Sequence, residues 1–160
     1  MINADGSAET QLTDNSAGEA IPTWSPDGTR ITFSSDREEK DQFEIYVMNT
    51  DGSGQTRLAS EPVIGSLPAW SPDGVRIAFY STLSGNAEMY VMNADGSRQI
   101  NLTNHPAHDF SPAWSPDGAQ IAFVSNRDGS YDIYLMSIDS LGVVRLADSP
   151  ADDVFPSWQP

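Results

Sequence analysis

Three carboxylates stand at matching places in the 160-residue sequence. Glu19, Asp109 and Asp153 each lie three residues before a proline, in the segments EAIPTW, DFSPAW and DVFPSW, while a fourth such segment, GSLPAW, begins with Gly65. One place earlier stand His108 and Asp152. Oxygen donors collected from several such segments suit a hard cation such as Ca2+, which makes Glu19, Asp109 and Asp153 candidate metal ligands. They equally suit a basic side chain of a partner, and a solvated acidic rim is the competing reading. The run HPAHD, residues 105–109, adds two imidazoles beside Asp109, donors that fit a transition metal. Pro106 argues against a helix there, so the spacing does not set both rings on one helical face, and two loop histidines without a metal is the plainer reading. Arg37 and Arg127 occupy equivalent positions in SSDREEKDQFE and SNRDGSYD, where STLSGNAE has Leu83. Each arginine adjoins an aspartate. A local exposed Arg–Asp pair would contribute about 1 kcal/mol or less, and the alternative is a mixed-charge contact surface for another protein.

No nucleophile with its base is recognisable. The sequence has no Gly-x-Ser-x-Gly elbow, no cysteine, and no glycine-rich loop that follows a strand and opens a helix to cradle phosphate. No catalytic residue is assigned, and a non-enzymatic role is expected. Acidic residues outnumber basic ones by 23 to 8, for a net charge of −15. Such a surface repels a polyanion, because non-specific nucleic-acid affinity comes from Lys and Arg neutralising phosphates; basic protein patches and cations are the partners it favours. No apolar run approaches 18 residues, so no membrane-inserted helix is expected. The opening MINADGSAET has neither the basic nor the apolar stretch of a secretory signal.

These residues hang on a repeated frame. Trp24, Trp70, Trp114 and Trp158 recur about 45 residues apart, and the first three open the turn Trp-Ser-Pro-Asp-Gly. In that turn Pro pre-sets φ, Asp bonds its own backbone and Gly accepts positive φ. Around it each repeat divides alike. A first strand ends in Trp, a second reads RITFSS, RIAFYS or QIAFVS, and a third reads EIYVMN, EMYVMN or DIYLMS. After an Asp-Gly or related turn, QTRLAS, RQINLTN or VVRLAD forms a fourth. Apolar residues alternate over four to six positions between turn signals, the period of strands, and no segment has a helical period. The fold class is all-β: propeller blades of four antiparallel strands in one domain spanning residues 1–160. Three complete blades are expected at about 21–60, 67–104 and 111–147, with 1–14 and 155–160 as parts of incomplete terminal blades. Trp24, Trp70 and Trp114 are expected to pack between blades, and Tyr46, Tyr90 and Tyr134 to pack with hydroxyls near the edge.

The series WSPDG, IAF, DIYLM, Asp-Gly and Leu-Thr resembles the propeller repeat of the TolB family, over essentially the whole chain. The resemblance implies a non-catalytic protein-interaction or scaffold module, periplasmic or extracellular, that binds a protein partner through one propeller face. Related repeats occur in the propellers of tricorn-like and prolyl-oligopeptidase-like proteases, so a piece of a hydrolase's gating propeller is the alternative. Metal-dependent pectin-fragment lyases resemble it too, with histidines in the channel; two histidines close together in sequence fit that poorly. Three blades plus split strands leave a ring incomplete. If an open end exposes on the order of 400 Å² of apolar surface, burying it is worth ~10 kcal/mol at about 25 cal/mol per Å², comparable with the ~4–15 kcal/mol cost of association. Completion by self-association, two chains forming one ring, is therefore expected.

Overall fold

A computed structural model describes residues 1–2, 4–58, 65–146 and 151–159. It holds three four-stranded antiparallel sheets and, among the described residues, no helix. The first sheet runs β1 (Glu19–Trp24), β2 (Arg30–Ser35), β3 (Glu44–Asn49), β4 (Thr56–Arg57) in spatial order. The second is β5 (Gly65–Trp70), β6 (Arg76–Ser81), β7 (Glu88–Asn93), β8 (Ile100–Asn101). The third is β9 (Asp109–Trp114), β10 (Gln120–Ser125), β11 (Asp132–Ser137), β12 (Val143–Arg145). The expected blade ends at 60 and 147, and Pro160, lie outside the described residues.

The Ser-Pro-Asp-Gly turns form as their residue types dictate. In the first, the Gly28 amide donates to the Ser25 carbonyl, Gly28 takes φ +69°, and the Asp27 carboxylate accepts from the Thr29 amide. The Ser25 hydroxyl and the Thr29 amide donating to Asp27 hold its pKa down at about 2. Asp73 and Asp117 are lowered by the matching serine and amide bonds.

Every first strand carries a bulge at the residue before its proline. Ile21, Leu67 and Ser111 all have φ between 53° and 58°, and so does Phe155 in the terminal segment. The register slips at this point in β1, β5 and β9, because two residues of the bulged strand oppose one of its partner. The four positions line a single cavity of about 210 Å³. First strands from successive repeats thus converge on one side of the array.

Two of the three hydrophobic clusters lie between blades. Ile45 and Leu58 of the first blade pack with Trp70, Ile77, Phe79 and Met92 of the second. Ala78, Met89 and Val91 of the second pack with Trp114, Ile121, Phe123, Tyr134 and Met136 of the third. Each buried tryptophan is also stacked under an arginine of the preceding blade, Arg30 over Trp70 and Arg76 over Trp114, both at 4.8 Å. Trp24 departs from expectation. It is 50% exposed, against 8% for Trp70 and 7% for Trp114, because among the described residues only the segment of Leu12, and not a full blade, lies on the first sheet.

The fourth strands are also shorter than expected, two or three residues each. Leu58, Leu102 and Leu146 nevertheless donate their amides to Ile45, Met89 and Ile133, so one further bond continues the pairing beyond each short strand. The described residues among 1–14 form no assigned strand, yet Leu12 packs on Ile31, Phe33, Tyr46 and Met48, and Met1 pairs with Thr10. At the other end the Trp158 indole donates to the Ala113 carbonyl at 2.9 Å, as Trp114 does to Ala69 at 3.1 Å. Residues 153–158 therefore sit on the third blade as a first strand would.

Candidate functional site

The loops that enter the first strands and those joining second to third strands meet on one face. Register alone brings them together, since Glu19 pairs with Ser35 and Asp109 with Ser125. Two residues beyond each serine stands an arginine. Arg37 reaches Glu19 at 2.9 Å, and Arg127 reaches both carboxylate oxygens of Asp109 at 3.1 Å. The two sets of candidate residues are thus partners of each other within a blade. The Nε of each arginine donates to the intervening serine, Ser35 or Ser125. Its guanidinium lies over the tyrosine of the third strand, Arg37 at 4.4 Å from Tyr46 and Arg127 at 4.8 Å from Tyr134.

This corrects the local Arg–Asp pairing expected from adjacency. Asp36 turns to the backbone amides of Gly18 and Asp41, which lower its pKa. Asp128 accepts from the Tyr134 hydroxyl, and Glu38 accepts from Tyr46. Burial first, then those acceptors, push both phenols up to about 12. Nor is the pair in the third blade an exposed one, because Asp109 is wholly buried.

The second blade lacks the pair altogether. Gly65 and Leu83 stand at its positions, and its buried Glu88 accepts instead from the Thr103 hydroxyl, the His105 amide and Asn86. The HPAHD loop therefore winds around Glu88. His105 Nδ1 accepts the Ala107 amide, and His108 Nδ1 accepts the Ala87 amide of the neighbouring loop. In the next repeat Asp152 does likewise, accepting from the Tyr131 amide, while the Asp153 amide donates to the Tyr131 carbonyl. His108 and Asp152 are latches between successive repeats.

Glu19, Asp109 and Asp153 are thus held by separate partners in separate repeats. Among the described residues no three His, Asp or Glu side chains gather as a cation site, so the three candidate carboxylates are not brought together.

Where the repeats differ most, the structure gathers a group that no charge pattern marks. Tyr80, Phe110 and Tyr131, with Leu67, Ala87 and His108, line a recess of about 300 Å³ between the second and third blades. Phe110 lies at 67° to both tyrosines in T-shaped pairs, its centroid 6.5 Å from that of Tyr80 and 5.4 Å from that of Tyr131. Between the first and second blades the positions of Tyr80 and Phe110 are held by Ser34 and Ser66, which hydrogen-bond to each other at 2.9 Å. The sequence does carry a signal for the recess: three aromatics at positions that at the first junction hold Ser34, Ser66 and Ala87.

Comparison with known proteins is consistent with this architecture. A family model described as the TolB beta propeller domain matches residues 44–160. TolB from Acinetobacter baumannii superposes with a TM-score of 0.83 at 24% identity, over 98% of this chain and 39% of that one. A TolB-type protein of Agrobacterium tumefaciens gives 0.72 at 30% identity, over 84% of this chain and 50% of that one. A puromycin hydrolase gives 0.78 at 17% identity, over 97% of this chain and 27% of that one. The chain therefore spans half or less of the length of each of these structures. A search of curated proteins found no match.

Proposed function

The chain belongs to the TolB β-propeller domain family, and from that membership we propose that it is a non-catalytic protein-interaction module whose blades complete a ring by self-association. One observation carries the reading. The tryptophan that is 7–8% exposed at the two internal blade junctions is 50% exposed at the outer face of the first blade. At the opposite end Leu146, whose counterpart Leu58 is 8% exposed within the first junction, is 58% exposed. A second copy would bury these surfaces as Trp70 and Trp114 are buried, an arrangement that favours a dimer. The absence of catalysis in the proposal is supported by the loop face, where Glu19 and Asp109 are already engaged by Arg37 and Arg127.

The likeness to a puromycin hydrolase supports a second reading, a propeller serving a hydrolase whose catalytic groups lie elsewhere; the likeness is one of fold. Light scattering of the 160-residue chain separates the two. Self-association gives twice the chain mass or more, and gives it more readily at physiological than at low salt, because two copies of charge −15 repel until screened. Added Ca2+ leaves that mass unchanged if no carboxylate cluster binds it. A monomer at all salts and concentrations overturns self-association and leaves the faces to further chain of a longer protein.

A further inference from the structure

We propose that the recess formed by Tyr80, Phe110, Tyr131 and His108 binds the guanidinium of an arginine side chain on a basic partner segment; this rests on the reading of the chain as an interaction module. Three observations carry it. The first is the break in the repeat. Ser34 and Ser66 close the equivalent place between the first two blades with a buried hydrogen bond, whereas Tyr80 and Phe110 leave a half-open recess of about 300 Å³. That volume admits a side chain.

The second is the state of the rings. Arginine lies 4.4–4.8 Å from the ring centres of Tyr46, Trp70, Trp114 and Tyr134. Among the described residues no cation lies over Tyr80, Phe110 or Tyr131, and the Tyr80 and Tyr131 hydroxyls have no hydrogen-bond partner. Three aromatic rings line the recess, and an aromatic lining attracts a cation through the ring quadrupoles. The third is charge. The chain carries −15, and the carboxylate of Asp152 is tied to the Tyr131 backbone beside the recess. Long-range attraction and a local counter-charge therefore favour a basic segment over a neutral aromatic ligand. Arginine suits the recess better than lysine, since its planar, weakly hydrated guanidinium stacks on aromatic faces and donates from its edge to tyrosine hydroxyls.

The test is an NMR titration of the whole chain with N-acetyl-arginine amide and, as its neutral isostere, N-acetyl-citrulline amide. Arginine is expected to bind weakly, with Kd on the order of millimolar, moving resonances of Tyr80, Phe110 and Tyr131; citrulline is expected to move them at least tenfold less. The double variant Tyr80→Ser/Phe110→Ser, which restores the serine pair of the first junction, should weaken arginine binding at least tenfold. Tyr131→Ala supplies an independent variant outside the packed strands if the double variant does not fold. Equal shifts with citrulline, shifts elsewhere on the chain, or unchanged affinity in a folded variant overturn the proposal. Solution mass measured on the same samples separates the two ideas: absent arginine binding with an intact oligomer removes the recess alone, and a monomer that still binds arginine removes self-association alone.

Discussion

Asp109 is fully buried, and a carboxylate there is tolerated because Arg127 meets both of its oxygens at 3.1 Å. Taking two charges out of water costs several kcal/mol per ion, and their attraction roughly offsets it, so the pair adds little net stability while either half alone is a liability. Glu19 and Arg37 repeat the pair at 18% and 21% exposure, where water shares the solvation. The second blade shows the same site without charge, with Gly65 and Leu83 together. Arg127→Met keeps most of the side-chain volume and strands Asp109, so it should destabilise the chain by about 3–5 kcal/mol. The double change Asp109→Gly/Arg127→Leu, copying the second blade, should cost less than the sum of the two single changes by at least ~1 kcal/mol. Urea denaturation of the unaltered chain, both single variants and the double variant measures the coupling directly. Additive losses would mean that Asp109 is satisfied by something other than Arg127.

Blades stack closely enough that the turn between third and fourth strands touches the backbone of the blade before it. A Cβ placed on Gly96 would overlap the Leu58 carbonyl oxygen outright, and one on Gly52 would lie 2.8 Å from that of Leu12. Gly96 also holds φ +85°, whereas Gly28 at φ +69° has open space around it. Alanine at Gly28 should cost about 1–2 kcal/mol, the left-handed backbone alone. Alanine at Gly96 must in addition push two blades apart and should cost more than ~3 kcal/mol; thermal or urea unfolding of both variants gives the comparison, and equal losses would refute the stacking account. These turns and the first three strands were legible in the sequence because WSPDG and the alternation RIAFYS are local signals. The fourth strands were less so. Their regular pairing spans only two or three residues, and Leu58 and Leu102, still bonded to Ile45 and Met89, turn their side chains into the next junction. The ion pairs were half legible: Glu19, Arg37, Asp109 and Arg127 all stood out by type, but their 18-residue separations close only through the register of first on second strand. The aromatic recess is formed across two blades, by residues far apart in the chain.

The two ends of the array differ, and the difference dictates how copies can meet. The first blade leaves Trp24 half exposed beside the segment of Leu12, while the third is overlaid by the segment that ends in Trp158 and leaves Leu146, the counterpart of the buried Leu58, 58% exposed. A Trp24 face meeting a Leu146 face is a head-to-tail contact, which closes into a ring if the rotation per copy fits and runs on as an open array if it does not. A contact of Trp24 face with Trp24 face would instead be two-fold and stop at a dimer. Single charges decide between them. Trp24→Glu and Leu146→Glu each place a carboxylate in an apolar contact, on a surface already at −15, and each alone should lower the light-scattering mass to that of the monomer if the contact is head-to-tail. Mixing the two variants is the informative step. Each retains the end that the other has lost, so one sound interface can form between them, and the mixture should regain a dimer and nothing larger. A two-fold contact through Trp24 predicts the opposite pattern: Leu146→Glu associates like the unaltered chain, Trp24→Glu stays monomeric, and mixing rescues neither. If both variants keep the mass of the unaltered oligomer, the exposed ends are not where copies of this chain meet.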